Sequence, residues 1–238
     1  MEKKYRLLEN DTKVVGGRTL YRIEALKDFA NVKKGDKGGY IESEDNLSHI
    51  GNCWVYGEAY VYGDACVYDN AEVSGYAYVY GNALVHGSAC VADNARVFGY
   101  AEVYGNAKVY GDARVCGNAH VYDNACVDGH ACVNGHACVA DKARVYGYAD
   151  VCGYAEVCGY AEVRFTRDYV VLKNIWSSGR YFTYTRSNKM WKVGCFYGTG
   201  EELIAKAYRD SEVSGREYKR VVEYVEAMYA DLEKDKSK

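Results

Sequence analysis

The chain has 238 residues, 30 Lys/Arg against 33 Asp/Glu, a net charge of −3 and no proline. An average chain of this length would hold about a dozen prolines, and their absence suits a backbone whose N–H groups mostly donate to neighbouring strands. Neither a charged start followed by an apolar stretch nor a long apolar run occurs, which predicts no secretion signal, no membrane span and a cytoplasmic protein.

In chain order, Lys4 to Leu8, Val14–Val15 and Leu20 to Leu26 read as short strands, with turns predicted at Asn10–Asp11 and Gly16–Gly17. Gly35 to Gly39 is a glycine-rich bend, not a phosphate loop, because no Gly-Lys-Ser/Thr follows it. Ile41, Leu47 and Cys53 already fall in phase with the repeat that comes next, so residues 1–40 read as a cap and the repeat as starting near Ile41. A cap is needed because an open sheet edge exposes unpaired N–H and C=O groups. Trp54 is expected to face outward near that end.

From residue 51 to 163 one six-residue unit recurs without insertion. Valine occupies every sixth position from Val55 to Val163, 19 in all, and alanine every sixth from Ala59 to Ala161, 18 in all. No helix has that period. A period of six preserves strand alternation, so Ala59 and Val61 point one way and Tyr60 and Tyr62 the other. Gly63–Asp64 and its equivalents supply the bend. Such a unit cannot bury its apolar side alone and must stack on copies of itself, as in a parallel β-helix.

The run resembles the hexapeptide-repeat family of left-handed β-helices, in which three hexads form one triangular coil. That resemblance implies a mainly β fold, a single-stranded left-handed parallel β-helix of about six to seven coils over residues 41–164, on the order of 30 Å tall. It also implies a homo-oligomer, since many such proteins are trimers. More narrowly, Lys4 to Leu7, Val32 to Ile41 and Gly51 to Val55 resemble the start of the YdcK-like bacterial β-helix proteins. The acetyltransferase label sometimes given to those proteins rests on fold, which is weak evidence for chemistry.

Laid out at 18 residues per coil, the outward residues differ by face. One face carries Tyr60, Tyr62, Tyr78, Tyr80 and Phe98, which read equally as a self-stacking ladder or as a subunit interface. A second face places His86, Glu102, Tyr104 and His120 on adjacent coils. The family resemblance makes a histidine general base conceivable there, with His86, Glu102 and His120 as the catalytic set of a CoA-dependent acyltransferase. Against it, no hexad carries a loop to enclose substrate. His130 and His136 fall at successive corners, too far apart to share a ligand. The ten cysteines never stack directly at this period; the closest are the diagonals Cys116 with Cys132 and Cys138 with Cys158, about 7 Å apart. Free thiols are expected, with no metal and no cofactor.

Residues 51–163 carry 5 Lys/Arg and 13 Asp/Glu, a balance of −8, whereas residues 164–238 carry 15 and 11, a balance of +4. An acidic prism is a poor footprint for duplex DNA. After Val163 the pattern changes, and residues 165–238 read as a small α+β domain. Three strands are predicted, Tyr169 to Trp176, Tyr181 to Thr185 and Met190 to Tyr197, joined by turns at Ser177–Arg180 and Ser187–Lys189. Two helices come after them, opened by capping boxes at Thr199/Glu202 and Ser214/Glu217. The second carries an apolar stripe from Tyr218 to Leu232, and the tail from Glu233 should fray. Arg180, Tyr184, Arg186, Lys189, Trp191 and Lys192 combine cations with aromatic planes, a mixture suited to a small anionic or nucleotide ligand. Strand alternation places Trp191 and Lys192 on opposite sides, with Trp191 under the helices.

These observations predict a non-enzymatic, oligomeric scaffold or binding protein that uses its C-terminal domain or a subunit interface. Three other readings stand beside it: sequestration of an anionic ligand or host defence factor by a phage or prophage protein, which the resemblance suggests; acyl transfer; and self-assembly as a structural element.

Overall fold

A computed structural model describes residues 2–176 and 178–234. It is a left-handed parallel β-helix of about seven turns with a small C-terminal α+β domain. Nineteen two-residue rungs, from Trp54–Val55 to Glu162–Val163, form three flat faces, and each of the first sixteen pairs in parallel with the residues 18 positions on, as in Tyr60↔Tyr78 and Glu102↔His120. Every valine from Val55 to Val163 is fully buried, and no alanine of the series exceeds 1% exposure. Each such valine contributes about 1.5–3 kcal/mol relative to an exposed one, which makes the dry interior the main cohesive element.

The corners need a left-handed residue. Glycine supplies it at most coils, as at Gly105 (φ +70°), where an added Cβ would lie 2.8 Å from the Asp123 backbone nitrogen. Four aspartates adopt the same conformation, among them Asp93 (φ +58°) and Asp141 (φ +59°). Aspartate tolerates this region because its short side chain bonds locally. Here the bond runs between coils: the Asp93 and Asp141 carboxylates accept from the N–H groups of Gly111 and Gly159 at 3.0 and 2.8 Å.

At the N-terminal end, β1 (Tyr5–Val15) and β2 (Arg18–Ala25) form an antiparallel hairpin, and β2 pairs with β3 (Lys37–Ile41). β3 is the first rung of the tyrosine face and pairs in parallel with Tyr60–Val61. The turn expected at Asn10–Asp11 is instead a bulge inside one continuous strand, where the register jumps between Leu8 and Thr12. Trp54 points out of the prism yet is only 1% exposed, because Tyr5 and Phe29 of the cap pack edge-on against it at 6.1 and 5.3 Å.

The C-terminal domain is a four-stranded antiparallel sheet, Tyr169–Lys173, Tyr181–Thr185, Met190–Val193 and Phe196–Gly198, with two helices on it. Met190 to Tyr197, expected as one strand, is split by a tight turn at Gly194 (φ +57°), which pairs Val193 with Phe196. Helix α1 (Gly200–Asp210) has the expected Thr199/Glu202 box. Helix α2 (Glu212–Lys234) starts before the expected Ser214/Glu217 box: the Ser214 N–H donates to Ser211 Oγ at 3.0 Å, so Ser211 serves that end. Val222, Val225 and Tyr229 bury the stripe against Phe182, Tyr184 and Trp191, while Leu232 stays exposed. Ser177 of the expected turn and residues 235–238 of the expected tail lie outside the described residues.

Candidate functional site

The C-terminal sheet closes the prism with side-chain hydroxyls. The Tyr169 hydroxyl accepts from the Cys152 N–H at 3.2 Å and donates to the Asp150 carbonyl at 2.9 Å, doing what the next strand would do. Thr183 Oγ1 accepts from the Glu156 N–H at 3.0 Å, and Ser187 Oγ from the Glu162 N–H at 2.7 Å. Asp150, Glu156 and Glu162 belong to the last rung of each face. Tyr197 adds a fourth hydroxyl, donating to the Cys158 carbonyl at 3.4 Å, and a Cβ on Gly159 would overlap it.

On the histidine face, the expected residues divide. Glu102 lies between Leu84 and His120, and its Oε2 is 3.2 Å from His120 Nδ1, a carboxylate–imidazole dyad. His86 lies one column over, stacked on Tyr104, and not in the Leu84–Glu102–His120 column. It is sandwiched between Tyr68 and Tyr104 with ring centroids at 4.6 and 5.1 Å, and Tyr122 extends the stack. In the sequence, His86 and Tyr104 group with Glu102 and His120 as a candidate catalytic set, and this second aromatic ladder was not foreseen. His130 and His136 each stack on the tyrosine of the next coil, Tyr148 and Tyr154.

The tyrosine face holds two stacks, Tyr40–Tyr60–Tyr78 and Tyr62–Tyr80–Phe98; rings in the second are within 3° of parallel, 5.1 and 4.9 Å apart. The Arg96 guanidinium continues the first stack, 5.7 Å from the Tyr78 ring. Tyr60 is buried in a cluster with Leu20 of the N-terminal hairpin, whereas Tyr62, Tyr78 and Tyr80 remain half-buried. Partial burial pushes the Tyr62 and Tyr80 hydroxyls up from their ordinary value.

All ten cysteines are free thiols. Burial pushes the thiols of Cys116 and Cys158 up to about 11 and about 12. Such thiols stay protonated at neutral pH and make poor nucleophiles. Among the described residues, no three His, Cys, Asp or Glu come together as a metal site.

The six ligand candidates of the C-terminal domain separate into four environments. Trp191 is fully buried, with no partner for its Nε1 among the described residues, and Tyr184 packs on it at 5.0 Å. Lys192 reaches back to the prism, 3.7 Å from Glu156. Arg180 lies beside Gly194 in a small cleft with Cys195 and Lys206. Arg186 and Lys189 stay together and line two adjoining grooves of about 390 and 470 Å³.

The larger groove runs between the last coil and the C-terminal sheet, and it adds Arg164, Phe165 and Arg167, which were not among the residues expected from sequence. The guanidiniums of Arg164 and Arg167 lie 5.3 and 5.1 Å from the Phe165 ring centroid. Asp168 lies in the same groove, and its carboxylate orders the loop by accepting from the Arg164 and Phe165 N–H groups at 3.0 and 2.8 Å. Tyr229 of α2 holds the same loop, donating to the Arg167 carbonyl at 2.9 Å. Arg186 pairs with Glu233 at 3.2 Å. Among the described residues, Arg164, Arg167 and Lys189 form no ion pair. Two arginines flanking an aromatic, where the repeat ends, were the available signal.

No protein-family model matches the chain, and no curated protein matches it significantly.

Proposed function

We propose that this protein is a non-enzymatic β-helix scaffold whose C-terminal cap doubles as a binding surface for an anionic ligand. One observation carries the reading: the unbroken prism is closed at its far end by a domain that brings Arg164, Arg167 and Lys189, which form no ion pair among the described residues, to the line of closure. Cations aligned along a groove with a fixed backbone raise the local concentration of anions. The tyrosine face supports self-association, because Tyr62, Tyr80 and Phe98 form a continuous aromatic row. Closure of both ends argues against end-to-end growth, and the likeness of the N-terminal segment to YdcK-like proteins supports a bacterial or prophage setting. Native mass spectrometry of gently purified protein tests the reading: an oligomer carrying a small added mass is expected, and a bare monomer from both wild type and Tyr62→Ser/Tyr80→Ser contradicts it.

The Glu102–His120 contact at 3.2 Å favours acyl transfer as a second reading, since a carboxylate can orient an imidazole base. That face is a flat sheet without an inserted loop, so nothing there excludes water. Turnover of a CoA thioester that disappears in His120→Ala would replace the first reading with this one.

A further inference from the structure

The junction groove has the features of a specific ligand site, and assigning it a ligand class rests on the anion-binding function proposed for the C-terminal cap. Its volume of about 470 Å³ falls in the range of small-molecule sites. Arg164, Arg167 and Lys189 form no ion pair among the described residues, although Glu162, Asp168 and Glu233 also line the groove. Phe165, 36% exposed as a residue, places its ring beside the Arg164 and Arg167 guanidiniums. The loop carrying Arg164, Phe165 and Arg167 is preorganised by Asp168 and Tyr229, which lowers the ordering cost of binding. Glu162, also in the groove, has its carboxylate near the Tyr146 hydroxyl and can accept from a sugar hydroxyl. The prism beneath carries −8 over residues 51–163, so a long polyanion leaving the groove would meet a repulsive field, whereas a short one would not.

We infer that the groove binds a free nucleoside polyphosphate, its phosphates on Arg164, Arg167 and Lys189 and its base against Phe165. Planar guanidiniums suit phosphate oxygens in a way a single ammonium does not. A base stacked on an aromatic ring gains about 1–3 kcal/mol irrespective of base identity.

Calorimetric titration of the full-length protein with ATP, inorganic triphosphate and adenosine tests this. One ATP per chain is expected, with affinity falling about tenfold or more in R164Q and in R167Q, as loss of a charge-assisted hydrogen bond implies. F165L should weaken ATP while leaving triphosphate unchanged, and R180Q, in the separate cleft, should change neither. Thermal melts of the variants confirm that they fold. Absence of ATP and triphosphate binding at about 1 mM, near the limit of useful affinity, overturns the site. ATP binding that survives both arginine variants also overturns the groove but leaves the protein a binder. Equal loss of ATP and triphosphate in F165L removes the role given to the base. Release of phosphate from bound ATP would instead overturn the non-enzymatic reading.

Discussion

At its N-terminal end the prism is extended by a main-chain strand on the tyrosine face, and at its C-terminal end side-chain hydroxyls serve all three faces. β3 continues the tyrosine face as an ordinary rung, with the Tyr40 N–H donating to the Ala59 carbonyl at 2.9 Å and the hairpin extending the sheet outward. Side chains complete that end: the buried Lys4 ammonium donates to the Cys53 carbonyl at 2.8 Å, with burial holding its pKa below the usual lysine range. The Tyr5 hydroxyl donates to the Leu47 carbonyl at 2.7 Å, Asn46 Nδ2 donates to the Ala65 carbonyl at 2.9 Å, and the Glu42 carboxylate accepts from the Gly63 N–H at 2.7 Å. At the other end, Tyr169, Thr183 and Ser187 each serve one face, and among the described residues no strand continues the coil. A strand closes an edge by repeating it. Hydroxyls close an edge while leaving the closing domain free to differ in composition, and the groove lies at that end.

The interior between the ends sets the scale. Val103→Asp places an uncompensated charge in the dry core, and a loss of more than about 4 kcal/mol is expected, seen as failure to fold or a collapse of the melting temperature. The ends should respond less. Tyr169→Phe leaves the Cys152 N–H and the Asp150 C=O without their shared partner, and Lys4→Met strips the Cys53 carbonyl. Each should cost about 1–3 kcal/mol in urea unfolding, with Tyr169→Phe loosening only the last coil and Lys4→Met only the first.

A further effect marks the C-terminal end by its pH dependence. Cys158, beside Tyr197 at the C-terminal closure, has its thiol pushed up to about 12 by burial, against about 8.5 when unfolded. Its folded pKa is raised, so its contribution is full below about pH 8.5 and is lost as pH rises towards 12. The melting temperature should therefore fall across that window, and Cys158→Ala should shallow the fall. An unchanged slope in Cys158→Ala would show that the thiol is not the titrating group.

Sequence made the prism legible because each hexad states the same instruction: inward valine, inward alanine, a corner residue. The apolar spacing of Ile41 and Leu47 was readable but their register was not: Ile41 pairs with Val61 and Leu47 with Val67, twenty positions on, so only Cys53 keeps the alanine phase. The Thr199/Glu202 cap was readable because its spacing is local. The features that escaped were non-local or ambiguous. Asn10–Asp11 has turn chemistry, but continuous pairing of β1 with β2 turns it into a bulge. Gly194 alone did not announce that Met190 to Tyr197 folds back on itself. The closing hydroxyls are three ordinary residues spread from 169 to 187, and only the end of the coil gives them a common task. The groove was half visible, since Arg186 and Lys189 stood out, while Arg164, Phe165 and Arg167 looked like the ragged end of a repeat.

The most direct test of closure by hydroxyls is hydrogen exchange on a Tyr169→Phe/Thr183→Val/Ser187→Ala protein at neutral pH. Exchange of the Cys152, Glu156 and Glu162 amides should accelerate at least about tenfold, the ratio that a loss of 1.4 kcal/mol implies, while the Tyr40 and Trp54 amides at the other end keep their wild-type rates. Unchanged protection of those three amides in a folded triple variant would contradict the account, and the C-terminal domain would then be an appendage rather than the closure of the prism.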